Sequence, residues 1–148
     1  MTYPIESTTR INNLGLHSKK ILVVDDEEFV CNLVSKILEK YLGFEVNKAK
    51  NGSEAIAGAL TGVYDAAIID LSMPNTSGMK AIKAIKTMCP NFPIIAMSGK
   101  QMDFRPSEIE KELGCDRFLQ KPFKISSLIL EITSLFDTDD QSSETEQH

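Results

Sequence analysis

Apolar and polar positions alternate along this chain in two distinct rhythms. Short apolar or β-branched runs occur at Ile21–Val24, Phe44–Ala49, Ala66–Ile69, Pro93–Met97 and Arg117–Gln120. Segments with helical spacing lie between them. The clearest is Phe29, Val30, Leu33, Val34, Ile37, Leu38, Tyr41 and Leu42. Gly43 follows, where a left-handed residue would close the helix. A second helix is predicted over Gly52–Leu60, weakened by about 1 kcal/mol by the interior Gly58. A third is predicted over Ser77–Met88, with Ser77 as its N-cap and Pro90 as its stop. The fourth runs from Ser107, its predicted opener, to Leu113, and Gly114 closes it. The fifth covers Ile125–Phe136 through Leu128, Ile129, Ile132 and Leu135.

Five strands alternating with five helices predict an α/β, doubly wound (βα)5 domain. Near-continuous apolar strands fit a parallel sheet buried on both faces. Right-handed crossovers then put helices on both sides, and the common order for five such strands is 2-1-3-4-5. Residues 1–19 read as a flexible N-terminal tail, 20–136 as the domain, and 137–148 as an acidic disordered tail. That last segment carries Asp137, Asp139, Asp140, Glu144 and Glu146 with no Lys or Arg, and too little apolar surface to offset its ordering entropy.

Composition narrows the class. The net charge of −5 is concentrated in that final segment, and residues 20–136 are nearly neutral. The pattern predicts no nucleic-acid partner, since it offers no basic footprint. The apolar runs are far shorter than the ~20 residues of a membrane span, so no membrane insertion is expected. The N-terminus has no secretory-signal pattern. Cys31, Cys89 and Cys115 are widely spaced, which argues against a zinc frame and for reduced thiols in a cytoplasm. The methionines read as core filler, although Met102 and Phe104 in a polar loop could touch a partner.

The chemistry lies at the strand ends. In a doubly wound sheet, ligands bind beyond the carboxyl ends of the strands, at the switch point between strands 1 and 3. Strand 1 ends in Asp25-Asp26 and strand 3 in Asp70, while strand 4 ends in Ser98 and strand 5 in Lys121-Pro122. At an effective dielectric of ~20, two carboxylates 4 Å apart repel by about 4 kcal/mol. A divalent ion and the Lys121 ammonium would offset this. Magnesium, which takes one or two carboxylates plus waters and phosphate oxygens, suits such a site. Asp70 would attack phosphorus to give an aspartyl phosphate, Asp25 and Asp26 would hold the metal, and Ser98 and Lys121 would hold phosphate oxygens. Glu27 and Glu28 read as dipole-compensating residues of the first helical turn.

The segments Ile21-Leu-Val-Val-Asp25-Asp26-Glu27, Asp70-Leu-Ser-Met-Pro74 with Gly78, Ala96-Met-Ser98-Gly99, and Phe118-Leu-Gln-Lys121-Pro122-Phe123 occur in this order. Over roughly residues 20–136 the chain resembles the receiver domain of bacterial response regulators, of the stand-alone, chemotaxis-regulator-like type. The resemblance implies a flavodoxin-like fold and Mg2+-dependent phosphorylation of Asp70, with Mn2+ also accepted. The donor would be a histidine kinase or a histidine phosphotransfer protein. It implies that the Ser72 backbone carbonyl joins Asp25, Asp26 and Asp70 as a metal ligand, and that the Lys121–Pro122 bond is cis. Ser98 and Phe118 would form the switch, Ser98 moving toward phosphate and Phe118 rotating inward. Gly99 and Lys100 would govern phosphate access or lifetime. An output protein would dock on the fourth helix, fifth strand and fifth helix, and the chain would be a monomer or a phosphorylation-dependent dimer. It would be a signalling receiver rather than an enzyme, catalysing only its own phosphorylation and slow dephosphorylation. A phosphatase of the haloacid dehalogenase type would need a second acid where Ser72 stands. A flavin-binding protein would need a hydroxyl-rich loop where Asp25-Asp26-Glu27-Glu28 stands.

Overall fold

The computed structural model describes residues 18–99 and 106–146. Five strands, β1 (Lys20–Val24), β2 (Glu45–Ala49), β3 (Ala66–Asp70), β4 (Ile94–Ser98) and β5 (Arg117–Gln120), form one sheet. All pairings are parallel and the order is β2-β1-β3-β4-β5. The helices are α1 (Glu28–Leu42), α2 (Gly52–Leu60), α3 (Ser77–Met88), α4 (Pro106–Leu113) and α5 (Ile125–Glu146). A short 3-10 turn, Pro74–Thr76, leads into α3. This is the flavodoxin-like doubly wound architecture the alternation predicts.

The strand period of two divides the core. On one face Ile21, Val23, Ile68, Met97 and Leu119 pack with residues of α1 and α5. On the other, Leu22, Val24, Ile69, Ala96 and Phe118 pack with residues of α2, α3 and α4. β3 and β4 are buried at every position, whereas the edge strand β2 buries only Ala49 fully. The C-terminal glycines act as the sequence indicates. Gly43 (φ 67°) closes α1, its N–H reaching the Glu39 and Leu38 carbonyls, and Gly114 (φ 82°) follows α4.

Gly58 has a packing reason. A Cβ there would lie 2.7 Å from Leu22 Cδ2, so its absence lets α2 lie close on β1. Side-chain capping of α2 comes instead from Asn51, whose Oδ1 accepts the Glu54 N–H at 2.9 Å.

Four expectations need correction. Ser77 is not an N-cap: at φ −63° and ψ −32° it is already helical, following directly on a 3-10 turn that kinks at Asn75 (φ 60°). Ser107 does not open α4. The helix starts one residue earlier at Pro106, whose fixed φ and missing N–H suit a first helical position. Ser18 and Lys19 belong to the folded body rather than to a tail. Ser18 Oγ donates to the Gly43 carbonyl at 3.2 Å, and the Lys19 carbonyl accepts the Glu45 N–H at 2.9 Å. Finally, α5 continues through residues 137–146, where the composition predicts a disordered tail. No Gly or Pro occurs from Ile125 to the end, so nothing local stops a helix once it is nucleated on the core. Residues 1–17, with the rest of the expected N-terminal tail, lie outside the described residues. Among the described residues no helix is long and apolar enough to cross a membrane.

Candidate functional site

β1 and β3 are neighbours whose outward connections leave on opposite sides, so their carboxyl ends open onto a shared crevice. Asp70 is the last residue of β3, in register with Met97, and Asp25 follows β1 directly. Both are buried, each with 1% of its surface exposed, whereas Asp26 is exposed. One carboxylate oxygen from each of Asp25, Asp26 and Asp70 lies within 4.8 Å of the others.

Lys121 reaches this cluster from the end of β5. Its Nζ lies 2.8 Å from Asp25 Oδ2 and 3.4 Å from Asp70 Oδ1. Burial disfavours the ammonium, but the hydrogen bond to Asp25 and the charges of Asp70 and Asp25 outweigh it and hold the Lys121 pKa above the ordinary lysine value. The Lys121–Pro122 peptide is cis, as the resemblance implies.

The remaining carboxylate oxygens are unequally served. Asp25 Oδ1 accepts the Glu27 N–H at 2.9 Å, and Asp70 Oδ1 accepts the Ser72 N–H at 3.1 Å. Asp70 Oδ2 is buried and has no hydrogen-bond partner among the described residues. Burial raises the Asp70 carboxyl above the usual carboxylate range. The Ser72 amide opposes that rise, nearby Asp25 adds to it, and Lys121 opposes it again. With all three carboxylates ionised, the one ammonium at the cluster among the described residues, Lys121, leaves it short of positive charge. An unpartnered, buried carboxylate oxygen beside two more oxygen donors is the set a hard divalent cation takes. The residues present therefore fit such an ion.

Ser98 ends β4 and is buried beside the cluster, with its Oγ 3.4 Å from Ser72 Oγ. Gly99 is exposed. Among the described residues a Cβ there would meet only the Lys121 side chain, at 3.8 Å. Phe118, opposite Ala96 on β5, is buried with 8% exposure and packs into the core on the α2–α3–α4 side. It occupies an inward position here. Lys100, Met102 and Phe104 lie outside the described residues.

Two contributors were not legible as such in the sequence. Gly78 appears there only as part of a motif. In the fold a Cβ on it would lie 2.0 Å from the Asp70 carbonyl oxygen, so glycine is what lets α3 start against the end of β3. The Ser72 hydroxyl, which accepts the Gly99 N–H at 3.2 Å, left no local pattern because its partner lies 27 residues away.

A family model for the response regulator receiver domain matches residues 21–133. This chain belongs to the response regulator receiver family. It is 36% identical over 106 residues to the alkaline phosphatase synthesis transcriptional regulatory protein PhoP of Bacillus subtilis, covering 72% of this chain and 43% of that protein. It is 32% identical over 136 residues to the transcriptional regulatory protein PrrA of Mycobacterium tuberculosis, covering 88% of this chain and 57% of that one. The chain thus spans about half the length of the curated relatives it matches. Among solved structures, the receiver domain of Francisella response regulator 1452 superposes with a TM-score of 0.72 at 30% identity, over 82% of this chain and 99% of that one. The chemotaxis protein CheY4 of Vibrio cholerae gives 0.71 at 28% identity, over 80% and 98%. The receiver is a signalling module, and the acidic cluster described above occupies its switch-point crevice.

Proposed function

We propose that this receiver is switched by transfer of a phosphoryl group to Asp70. The observation that carries the reading is the buried Asp70 Oδ2 at the switch point, without a hydrogen-bond partner among the described residues and flanked by Asp25, Asp26 and Lys121. The donor is a histidine kinase or a histidine phosphotransfer protein. An Asp70 carboxylate oxygen forms the new P–O bond as the bond from phosphorus to the donor nitrogen breaks. The electron pair leaves with that nitrogen, which takes up a proton, and the product is an acyl phosphate. Such a transfer needs alignment and charge stabilisation more than acid–base help.

Asp25, Asp26, Asp70 and the Ser72 carbonyl hold Mg2+, or Mn2+ in its place. When bound, the ion neutralises charge on the transferring oxygens. Lys121 and Ser98 hold the phosphate oxygens. Gly99 and Lys100 set access to the phosphate and its lifetime. Phosphorylation adds charge where Asp70 had one, and Ser98 and Phe118 pass the change to α4, β5 and α5. An output protein, or a second copy of the chain, docks on that face. The inward Phe118, and the ordinary van der Waals distance from a Cβ at Gly99 to Lys121, are compatible with these roles. The three free thiols support a reducing, cytoplasmic setting.

The test is mass spectrometry after incubation with acetyl phosphate. A phosphoryl mass increase is expected on the wild-type protein with Mg2+. It should be absent without the metal and absent in Asp70→Asn. An increase that persists in Asp70→Asn would put the acceptor elsewhere.

A further inference from the structure

Ser72 touches both sides of the crevice. Its N–H donates to Asp70 Oδ1 at 3.1 Å, while its hydroxyl accepts the Gly99 N–H at 3.2 Å and lies 3.4 Å from Ser98 Oγ. The backbone ladder between β3 and β4 ends just before this point, with Leu71 N–H donating to the Met97 carbonyl at 2.7 Å. Beyond it the β3 side turns into the Pro74–Thr76 3-10 turn. The Ser72 side chain therefore extends the β3–β4 linkage one step past the ladder, by a bond that can be broken without unfolding the sheet.

We propose that the Ser72 hydroxyl is a clasp that positions Ser98 and Gly99 in the arrangement seen here and opposes their closure onto a phosphoryl group at Asp70. This rests on the reading of Asp70 as phosphoacceptor and Ser98 as the residue that closes on it. Ser98 and Gly99 are adjacent, so carrying the Ser98 hydroxyl toward Asp70 draws the Gly99 amide off Ser72 Oγ. A bond made in one arrangement and lost in the other shifts the equilibrium by its own net worth. Ser72 is thus a positioning residue, setting how readily the site switches through Ser98 rather than through any contact of its hydroxyl with phosphate.

The experiment uses the full chain, with Ser72→Ala and Ser72→Thr. Amide exchange at Gly99 is read by NMR without metal or phosphate analogue. Each protein is then titrated with trifluoroberyllate in Mg2+, the beryllium fluoride form being one that activates another receiver, DrrB. Gly99 exchange should speed about three- to tenfold in Ser72→Ala, the range set by one neutral hydrogen bond, and return toward wild type in Ser72→Thr. The half-saturating trifluoroberyllate concentration should fall by a similar factor in Ser72→Ala. Unchanged Gly99 exchange in Ser72→Ala, or no recovery in Ser72→Thr, overturns the clasp. Faster exchange with an unchanged or higher half-saturation overturns its opposition to closure. If the wild type itself takes up no trifluoroberyllate while Gly99 responds as expected, the phosphoacceptor reading fails and the anchoring of Gly99 by Ser72 stands.

Discussion

Asp70 and Asp116 sit at opposite ends of one sheet and meet their surroundings on different terms. Asp116 lies just before β5. Its Oδ2 accepts Lys86 Nζ at 2.7 Å and the Ile94 N–H at 2.8 Å, and its side chain keeps 40% exposure. That is one carboxylate, one ammonium and one amide, with water for the rest. Asp70 is nearly fully buried, shares one lysine with Asp25, and has one oxygen without a partner among the described residues. The first arrangement is complete and braces α3, β4 and β5. The second leaves a buried carboxylate oxygen unserved among the described residues, and it is on that oxygen that the proposed function rests.

The steepest test of this contrast is steric. Gly78→Ala sets a methyl group 2.0 Å from the Asp70 carbonyl, a backbone atom with no cheap way to move. We expect a loss of about 3 kcal/mol or more in urea unfolding. At the far end Gly114→Ala meets only the Lys86 side chain, at 3.7 Å, and the strain of φ 82° should cost about 1–2 kcal/mol.

The two aspartates should then respond with opposite signs. Asp116→Ala leaves the buried Ile94 amide without its acceptor and should destabilise by about 1–3 kcal/mol. Asp70→Asn removes a buried charge and should stabilise by about 1–3 kcal/mol at neutral pH. The sign of its pH dependence follows from the raised Asp70 pKa. The folded state holds that proton more tightly, so ionising Asp70 costs stability as pH rises above the ordinary value of 3.8. The advantage of Asp70→Asn should therefore vanish below about pH 4. An advantage that persists at acid pH would show that charge burial is not its cause.

Metal should sharpen the difference further. At ten times its dissociation constant, Mg2+ should stabilise the wild type by about 1.4 kcal/mol, read as a rise in Tm. Asp116→Ala should retain that response and Asp70→Asn should lose most of it. A smaller effect separates Asp70 Oδ2 from Ser35 Oγ, the other buried side-chain atom without a hydrogen-bond partner among the described residues. Ser35 lies in α1 and carries no charge, so Ser35→Ala should stabilise by up to about 1 kcal/mol with no change in Mg2+ response.

The last comparison leaves neutral-pH stability untouched. Burial first, then the charges of Glu110 and Asp116, push the Cys115 thiol up to about 12. Iodoacetamide at pH 8 should label the partly exposed Cys89 and spare Cys115. The stability that Cys115 contributes is complete below the ordinary thiol value of 9.0 and is lost as pH climbs toward about 12.

Much of this molecule was legible in one dimension because its signals are local. Apolar runs mark β1, β3 and β4, period 3.6 marks α1, and Gly43 and Gly114 end helices where backbone geometry demands it. Asp25, Asp26, Asp70, Ser98 and Lys121 could be singled out because strand ends in a parallel sheet share one rim. Where local rules failed, a neighbour had intervened. Ser77 carries the composition of a cap, yet it is itself already helical, at φ −63° and ψ −32°, directly after the Pro74–Thr76 turn. Gly58 reads as a weakness in α2 until Leu22 is seen beneath it. Residues 137–146 have the composition of a tail, yet α5 propagates through them from its anchored first turns.

Sequence alone determined the order of elements, the doubly wound class and the set of groups at the switch point. Those follow from periodicity and residue chemistry, which each segment carries with it. Tertiary structure alone decided how the groups are served: which Asp70 oxygen lacks a partner among the described residues, that Lys121 is shared with Asp25, that Gly78 abuts the Asp70 carbonyl, and that Ser72 reaches Gly99. Burial and hydrogen-bond satisfaction depend on atoms brought together from distant parts of the chain, and no local pattern encodes them.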